Sequence, residues 1–330
     1  MIGGALLILS TVLLQSGSPG TGKGPALLPL NPGSVTMPFT CDHQHLFVQL
    51  TINGTPGMQF LLDSGTTSNI LDLHTSQALG LHPQGIQKEK NIGMGGGLVA
   101  VAEDKDVSVE MNQLQVAHTL ALVDLHDLQA AYHHRIDGIL GFPLLQHYVV
   151  ALDFERQMLT LLPVKGYHYQ GGGSVIHLVS KKHSAQILVT LVTDTRTRVP
   201  AVVGIDTGSD VSLMLYQAYA QKENLQQMFI PTQGLWAYGL GGSFPVKIGT
   251  MPAIAMGRMQ TGDMTVFLLQ STPDILKKKT NSGVVGMAYL NNFGKVIFDV
   301  PHGEMIFEVK NQDAAKPPKS HLERQSMLLH

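Results

Sequence analysis

Two short strings constrain this chain more than anything else in it. One is Phe60-Leu61-Leu62-Asp63-Ser64-Gly65-Thr66-Thr67, and the other is Val203-Gly204-Ile205-Asp206-Thr207-Gly208-Ser209-Asp210. Each is an apolar run followed by an acid, a hydroxyl residue, a glycine and a second hydroxyl residue. A short apolar run bounded by turn residues reads as a buried strand, so each string carries an aspartate to the end of a strand. The two acids stand 143 positions apart, which puts one in each half of a 330-residue chain. That length allows two lobes with real cores.

The pattern around the first string recurs around the second. Residues 46–52 read as a strand, Asn53-Gly54 as a hairpin turn, and residues 58–62 as the return strand ending at Asp63. A short helix is expected over 75–80, then a glycine-rich tip at 92–99, and strands at 107–111 and 114–123. Next come Ile136-Asp137-Gly138-Ile139-Leu140-Gly141, a short helix through Leu145, and a hairpin from 149–154 and 158–162. Gly171-Gly172-Gly173-Ser174 is the best boundary signal. Beyond it stand strands at 187–192 and 199–205, a helix at 215–225, and a second tip at Tyr238-Gly239-Leu240-Gly241-Gly242. Ser282-Gly283-Val284-Val285-Gly286 and a closing hairpin at 296–299 and 305–307 complete the series. The offsets are 143 at the acids, 146 between Gly93 and Gly239, and 145 between Gly138 and Gly283. Landmarks repeating in one order at a steady spacing point to an internal duplication. The expected organisation is a signal region (1–24), a linker (25–41), an N-terminal lobe (42–170), a C-terminal lobe (171–310) and a disordered tail (311–330).

Composition narrows the function. The 22 basic and 24 acidic residues give a net charge of −2, and aromatic residues make up 6%. Neither a phosphate-binding face nor a base-stacking surface is to be expected. The single cysteine, Cys41, excludes an internal disulfide and a cysteine zinc cluster, and reads as an incidental thiol. Residues 5–14 are nearly all apolar and 16–24 mostly small, which resembles an export signal and implies a secreted or periplasmic protein, although no Lys or Arg precedes the run. The run is too short for a stable membrane span. Gly17 to Lys23 falls short of a phosphate loop, because Gly24 replaces the Ser or Thr and no strand-loop-helix context surrounds it. His43, His45, His133 and His134 fit no metal-ligand pattern and are expected at the surface or in loops. No G-x-S-x-G string marks a serine hydrolase.

The two signatures, Asp63-Ser64-Gly65-Thr66 and Asp206-Thr207-Gly208-Ser209, resemble those of the pepsin-like and retropepsin-like aspartic proteases. Ile139-Leu140-Gly141 and Val284-Val285-Gly286 resemble the apolar-apolar-Gly element that follows each signature in that family. The resemblance spans roughly residues 42–310. It implies an all-β fold with a few short helices, two-lobed and pepsin-like, arising from an internal duplication. It also implies an aspartic endopeptidase whose Asp63/Asp206 dyad activates a water against an extended peptide or protein substrate. Two close carboxyls suit that reaction, because they cannot both ionise: one serves as general base and the other as general acid. The resemblance implies further roles. Ser64 and Thr207 lock the two loops together, and Thr66 and Ser209 bond the outer carboxylate oxygens. Gly65 and Gly208 let the loops approach and donate their N–H groups. Gly93, Met94, Gly95, Gly96 and Tyr238 form the covering flaps. No metal, cofactor or nucleic acid is implied, and a monomer is expected. The chain departs from pepsins in three respects: no tyrosine lies between Ile92 and Val99, no disulfides are possible, and Asp210 replaces a small residue and is expected to face solvent. The rival reading is a non-catalytic peptide-binding protein of the same fold.

Overall fold

The computed structural model describes residues 7–8, 33–81, 87–90, 94, 98–104, 107–194, 196–230, 235–270 and 281–310. The chain is mostly β with a few short helices, as expected. The tail from 311 onward and the flap glycines Gly93, Gly95 and Gly96 lie outside the described residues. Among the described residues no helix is long and apolar enough to cross a membrane.

Strand His45–Ile52 turns back through Asn53 and Gly54 into Thr55–Leu62, the first acid strand. Both turn residues have positive φ, 47° at Asn53 and 80° at Gly54, the conformation that suits a tight two-residue hairpin. The second acid strand, Arg198–Ile205, is likewise the return of a hairpin from Gln186–Val192. Each acid strand pairs in parallel with the apolar-Gly strand of its own half. Phe60, Leu61 and Leu62 pair with Gly138, Ile139 and Leu140, and Val203, Gly204 and Ile205 pair with Gly283, Val284 and Val285. A third strand flanks each pair, Ile70–Asp72 in one half and Leu213–Leu215 in the other. Strands covered on both faces carry unbroken apolar runs, which accounts for the hydrophobic stretches before each acid.

One side-chain contact recurs at the base of each acid strand. The Asp137 carboxylate accepts from the backbone N–H of Gln59 at 2.7 Å, and the Ser282 hydroxyl accepts from Val202 N–H at 3.2 Å. Asp137 also accepts from Arg135 Nε at 2.9 Å. The carboxylate of the Ile-Asp-Gly element is therefore a structural acceptor.

A run of six strands joins the halves. It passes from Val35–Pro38 to Met158–Pro163, Tyr148–Asp153, Phe293–Asp299, Glu304–Val309 and Ser174–Ser180. The first of these lies in the stretch read as linker. Its mixed Val-Thr-Met-Pro sequence gives little strand signal, and the free edge of Met158–Pro163 supplies the pairing that holds it. Thr40–Asp42, in the same stretch, pairs with the start of His45–Ile52.

The helices are short. Leu73–Ala78 begins two residues before the expected position, because the Asp72 side chain accepts from Thr75 N–H at 2.9 Å and caps it there. The expected helix at 215–225 shrinks to Gln217–Lys222, its first residue being taken by strand Leu213–Leu215. The run 114–123 divides into Leu114–Ala117 and Leu120–Val123. Helix His126–Tyr132 has no counterpart in the sequence reading, since its seven residues, about two turns, give too few apolar positions for a clear period.

Close approach explains the glycines that open the apolar-Gly strands. A β-carbon at Gly138 would run into the Phe60 ring, and one at Gly283 into the Met214 carbonyl oxygen. Gly283→Ala should therefore destabilise the protein by about 2–3 kcal/mol through forced overpacking, read as a lower midpoint in chemical denaturation.

Candidate active site

The two acid strands end beside each other, and the two acids occupy matching frames. Asp63 N–H donates to Leu140 O at 2.9 Å, and Asp206 N–H donates to Val285 O at 3.0 Å. Each loop then folds back on its acid: Gly65 N–H donates to Asp63 Oδ1 at 2.8 Å, and Gly208 N–H donates to Asp206 Oδ1 at 3.1 Å. Downstream, Thr66 O accepts from Phe142 N–H at 2.8 Å and Ser209 O from Met287 N–H at 2.7 Å. These bonds tie the starts of helices Phe142–His147 and Met287–Leu290 to the loops of their own halves.

Four hydrogen bonds cross between the loops. The Ser64 hydroxyl donates to Ile205 O at 2.8 Å and accepts from Thr207 N–H at 2.9 Å. The Thr207 hydroxyl donates to Leu62 O at 2.8 Å and accepts from Ser64 N–H at 2.9 Å. Each side chain thus satisfies the backbone of the opposite loop. A hydroxyl suits the position because it can donate and accept at once.

Gly65 sits between the two carboxyls. Its N–H bonds Asp63, while a β-carbon on it would lie 2.6 Å from Cγ and from both oxygens of Asp206. Only a residue without a side chain permits this approach. Asp63 is fully buried and Asp206 is 2% exposed. Thr66 and Ser209, expected to bond the outer carboxylate oxygens, are both buried, and the Ser209 hydroxyl has no hydrogen-bond partner among the described residues. Asp210, expected to face solvent, is half-buried.

Two tyrosines that were not expected at the site lie by the second acid's loop, and a buried histidine stands behind one of them. Tyr216 is buried, and burial followed by the charge of Asp206 raises its phenol above the usual range. Tyr132, on the unanticipated helix, points its hydroxyl at Gly208 O, 3.5 Å away. Its ring meets His45 edge-on, with centroids 4.2 Å apart. His45 itself overturns the surface expectation: it is 1% exposed, and neither ring nitrogen has a hydrogen-bond partner among the described residues. Strand alternation could have flagged it, because His45 and Phe47 share a parity and Phe47 is apolar. His134 is also partly covered, stacked on Phe47 at 4.1 Å, whereas His43 is exposed beside Asp42. Cys41 is a free, exposed thiol.

The first tip hairpin pairs Gln87–Lys90 with Leu98–Asp104. The second pairs Trp236–Gly239 with Gly242–Met251. Of the residues expected to form flaps, Met94 is buried and Tyr238 is half-buried. Asp72, His74 and Asp124 form the group of potential metal ligands among the described residues. The Asp72 carboxylate is already engaged by Thr75 N–H and by Leu125 N–H at 3.0 Å.

Residues 48–144 match the family model described as aspartyl protease. The matched stretch holds Asp63, the first tip and Ile139-Leu140-Gly141, and it supports an aspartyl protease family and peptide hydrolysis as the class of reaction. No curated protein matches the chain.

Two predictions follow from these contacts. Thr207→Val keeps the volume but strips the hydroxyl, leaving Ser64 N–H buried without its acceptor. The expected loss is about 1–3 kcal/mol of unfolding free energy, measured by urea titration. The second concerns His45, whose burial, reinforced by His43, lowers its pKa from 6.5 to about 3. Between those values the unfolded chain binds a proton that the folded chain does not. Stability therefore rises with pH across this window and is lost as pH falls through it, by roughly 2–4 kcal/mol at the acid end. His45→Phe should flatten the dependence of Tm on pH between 3 and 6.5, as followed by scanning calorimetry.

Proposed function

We propose that the chain is a pepsin-like, two-lobed aspartic endopeptidase in which Asp63 and Asp206 form one catalytic dyad. The observation that carries this reading is Gly65, whose peptide touches both carboxyls at once. The strand pairings that repeat in the second half support an origin by duplication.

In this reading the two acids share one proton, because like charges so close cannot both ionise freely, the behaviour for which aspartic proteases are known. The ionised carboxylate takes a proton from water as it attacks the scissile carbonyl. The protonated partner donates to the carbonyl oxygen, giving a neutral tetrahedral intermediate. Collapse of that intermediate breaks the C–N bond as a carboxyl proton passes to the leaving amine. Gly65 and Gly208 N–H groups hold the oxygens that face them, so each carboxyl keeps a fixed orientation throughout.

The substrate is an extended peptide bound as an added strand. Support comes from this chain itself, in which Leu7–Ile8 lies parallel to Ala237–Tyr238 on the edge of the second tip hairpin. The apolar N-terminal stretch makes export our proposal for location.

The test is digestion of a mixed peptide library from pH 3 to 8, with and without a transition-state analogue of aspartic proteases. Hydrolysis should be fastest at acidic pH and blocked by the analogue. Asp63→Asn and Asp206→Asn should each lower kcat/KM by at least about 10²–10⁴-fold with the circular dichroism spectrum unchanged. Full activity in either variant, or a rate that climbs through pH 8, would overturn the dyad. Peptide binding without cleavage would favour the non-catalytic rival.

A further inference from the structure

His45 carries a cost that the fold does not require. It is buried, and neither ring nitrogen has a hydrogen-bond partner among the described residues. Buried polar atoms are nearly always paired, and a phenylalanine would fill the same space with no polar atom to satisfy. The strand register says where it stands. Phe47 pairs with Leu61 and Val48 with Phe60, so the same register carried past Phe47 sets His45 across from Asp63. His45, Phe47, Leu61 and Asp63 therefore share one face of the sheet, the face that bears the cluster of Phe47, Leu61, Leu128 and Tyr132. The second half has a different residue at the matching place. There Gln186 pairs with Gly204, and Ile205 N–H donates to Ala185 O at 2.9 Å, which sets Ser184 across from Asp206. Ser184 is buried too, but its hydroxyl accepts from Gln186 Nε2 at 3.3 Å. The repeated fold thus needs no imidazole at this position.

What the imidazole touches is an aromatic ring. It meets Tyr132 with centroids 4.2 Å apart and planes at 64°, an edge-to-face contact of the kind aromatic pairs prefer. Tyr132 is buried and ends helix His126–Tyr132 of the first half. Its hydroxyl crosses to the second half and donates to Gly208 O at 3.5 Å, while Gly208 N–H donates to Asp206 Oδ1 at 3.1 Å. Glycine has wide backbone freedom, so a carbonyl held from outside narrows the directions in which the Gly208 N–H can aim. His45 thus stands in register with one acid and, through Tyr132, behind the loop of the other.

We propose that Tyr132 is a positioning residue for Asp206, and that His45, uncharged, is the seat that holds its ring. The proposal rests on the protease reading only for the reaction that Asp206 serves; the seat itself is a property of the free protein. A neutral imidazole can stay in this apolar seam, whereas an imidazolium there would need water or a counter-charge. Titratable groups face His45 from three elements. Asp42 and His43 stand in the turn before its strand, His134 follows the helix that bears Tyr132, and Asp63 ends the neighbouring strand. His43 and His134 oppose a charge on His45, and Asp42 favours one. Asp42 is itself engaged by His43 Nδ1 at 2.8 Å and by His134 Nδ1 at 3.4 Å. Burial outweighs all of these and lowers the His45 pKa to about 3. As pH falls through that value the seat is lost, and Tyr132 releases the second acid's loop.

The experiment uses the full chain, first without ligand. Backbone hydrogen exchange, corrected for the intrinsic rate at each pH, is compared for the parent, Tyr132→Phe and His45→Phe. Tyr132→Phe removes the hydroxyl and keeps the ring. At pH 6 the amides of Gly208 and Ser209 should exchange about three- to tenfold faster in it, the scale of one lost hydrogen bond. The matching amides of Gly65 and Thr66 should stay near the parent. Between pH 5 and pH 3 the charged share of His45 rises from about 1% to about half. Over that range Gly208 and Ser209 in the parent should lose at least about tenfold more protection than in His45→Phe, which carries the same acids. On a peptide that the parent cleaves, Tyr132→Phe should lower kcat about tenfold with KM nearly unchanged, as a small misplacement of a reacting group does. Its acid limb of kcat/KM should move to higher pH, because a loosened Gly208 N–H favours the ionised carboxylate less. Parent-like exchange at Gly208 and Ser209 in a folded Tyr132→Phe protein would overturn the positioning role. So would equal loosening at Gly65 and Thr66, which reports a general loss of packing, or an unchanged kcat. An equal loss of protection toward pH 3 in the parent and His45→Phe would overturn the seat. If one variant fails to fold, the comparison with the other decides. Selective loosening in a chain that hydrolyses no peptide would refute the protease reading and leave the seated tyrosine standing.

Discussion

Everything at the centre of this molecule depends on two hydroxyls that each serve the other half's backbone. Ser64 and Thr207 give and receive four hydrogen bonds across the junction, all between 2.8 and 2.9 Å. The groups they satisfy are backbone N–H and C=O at the ends of buried strands, where an unpaired polar group is expensive. The interlock therefore fixes more than proximity. It sets the height of one loop against the other, and so decides that Gly65, and no bulkier residue, lies against the Asp206 carboxyl.

The acid strands make that interlock possible by arriving rigid. Each is held between an apolar-Gly strand and a hairpin partner, and each is braced at its base by a side chain that accepts a backbone N–H, Asp137 in one half and Ser282 in the other. Two acids brought together repel when both are charged, so a flexible scaffold would let them part. The six-strand run beneath the junction opposes this by joining the halves through continuous backbone pairing.

Burial brings a tension. Both acids are buried, and a neutral histidine without hydrogen-bond partners among the described residues lies behind Tyr132. The same apolar packing that steadies the second loop through Tyr132 holds His45 uncharged. Acid is the condition under which the proposed dyad keeps its shared proton, and it is also the condition that taxes His45. In that proposal function and stability pull in opposite directions with pH.

The two acid loops were legible because their signals are local. An aspartate at the end of an apolar run, followed by a hydroxyl residue and a glycine, states its geometry within four positions, and Asn53-Gly54 states a tight turn within two. The steady offsets added that the same statement is made twice. Other parts could not be read, because their physics is supplied from elsewhere in the chain. Val35–Pro38 is a strand only because the edge of Met158–Pro163 is there to pair with it, and helix His126–Tyr132 is too short to declare a period. His45 reads as polar in sequence, yet Tyr132 and the surrounding core remove its water. Leu240 and Met94 look like tip residues, and only the packed halves show that both side chains are buried. The sequence by itself determined which side chains could do acid–base work and the strands that bear them. Tertiary structure decided how near they stand, what covers them and which neutral groups share their burial, because distance and desolvation are properties of the packed halves together.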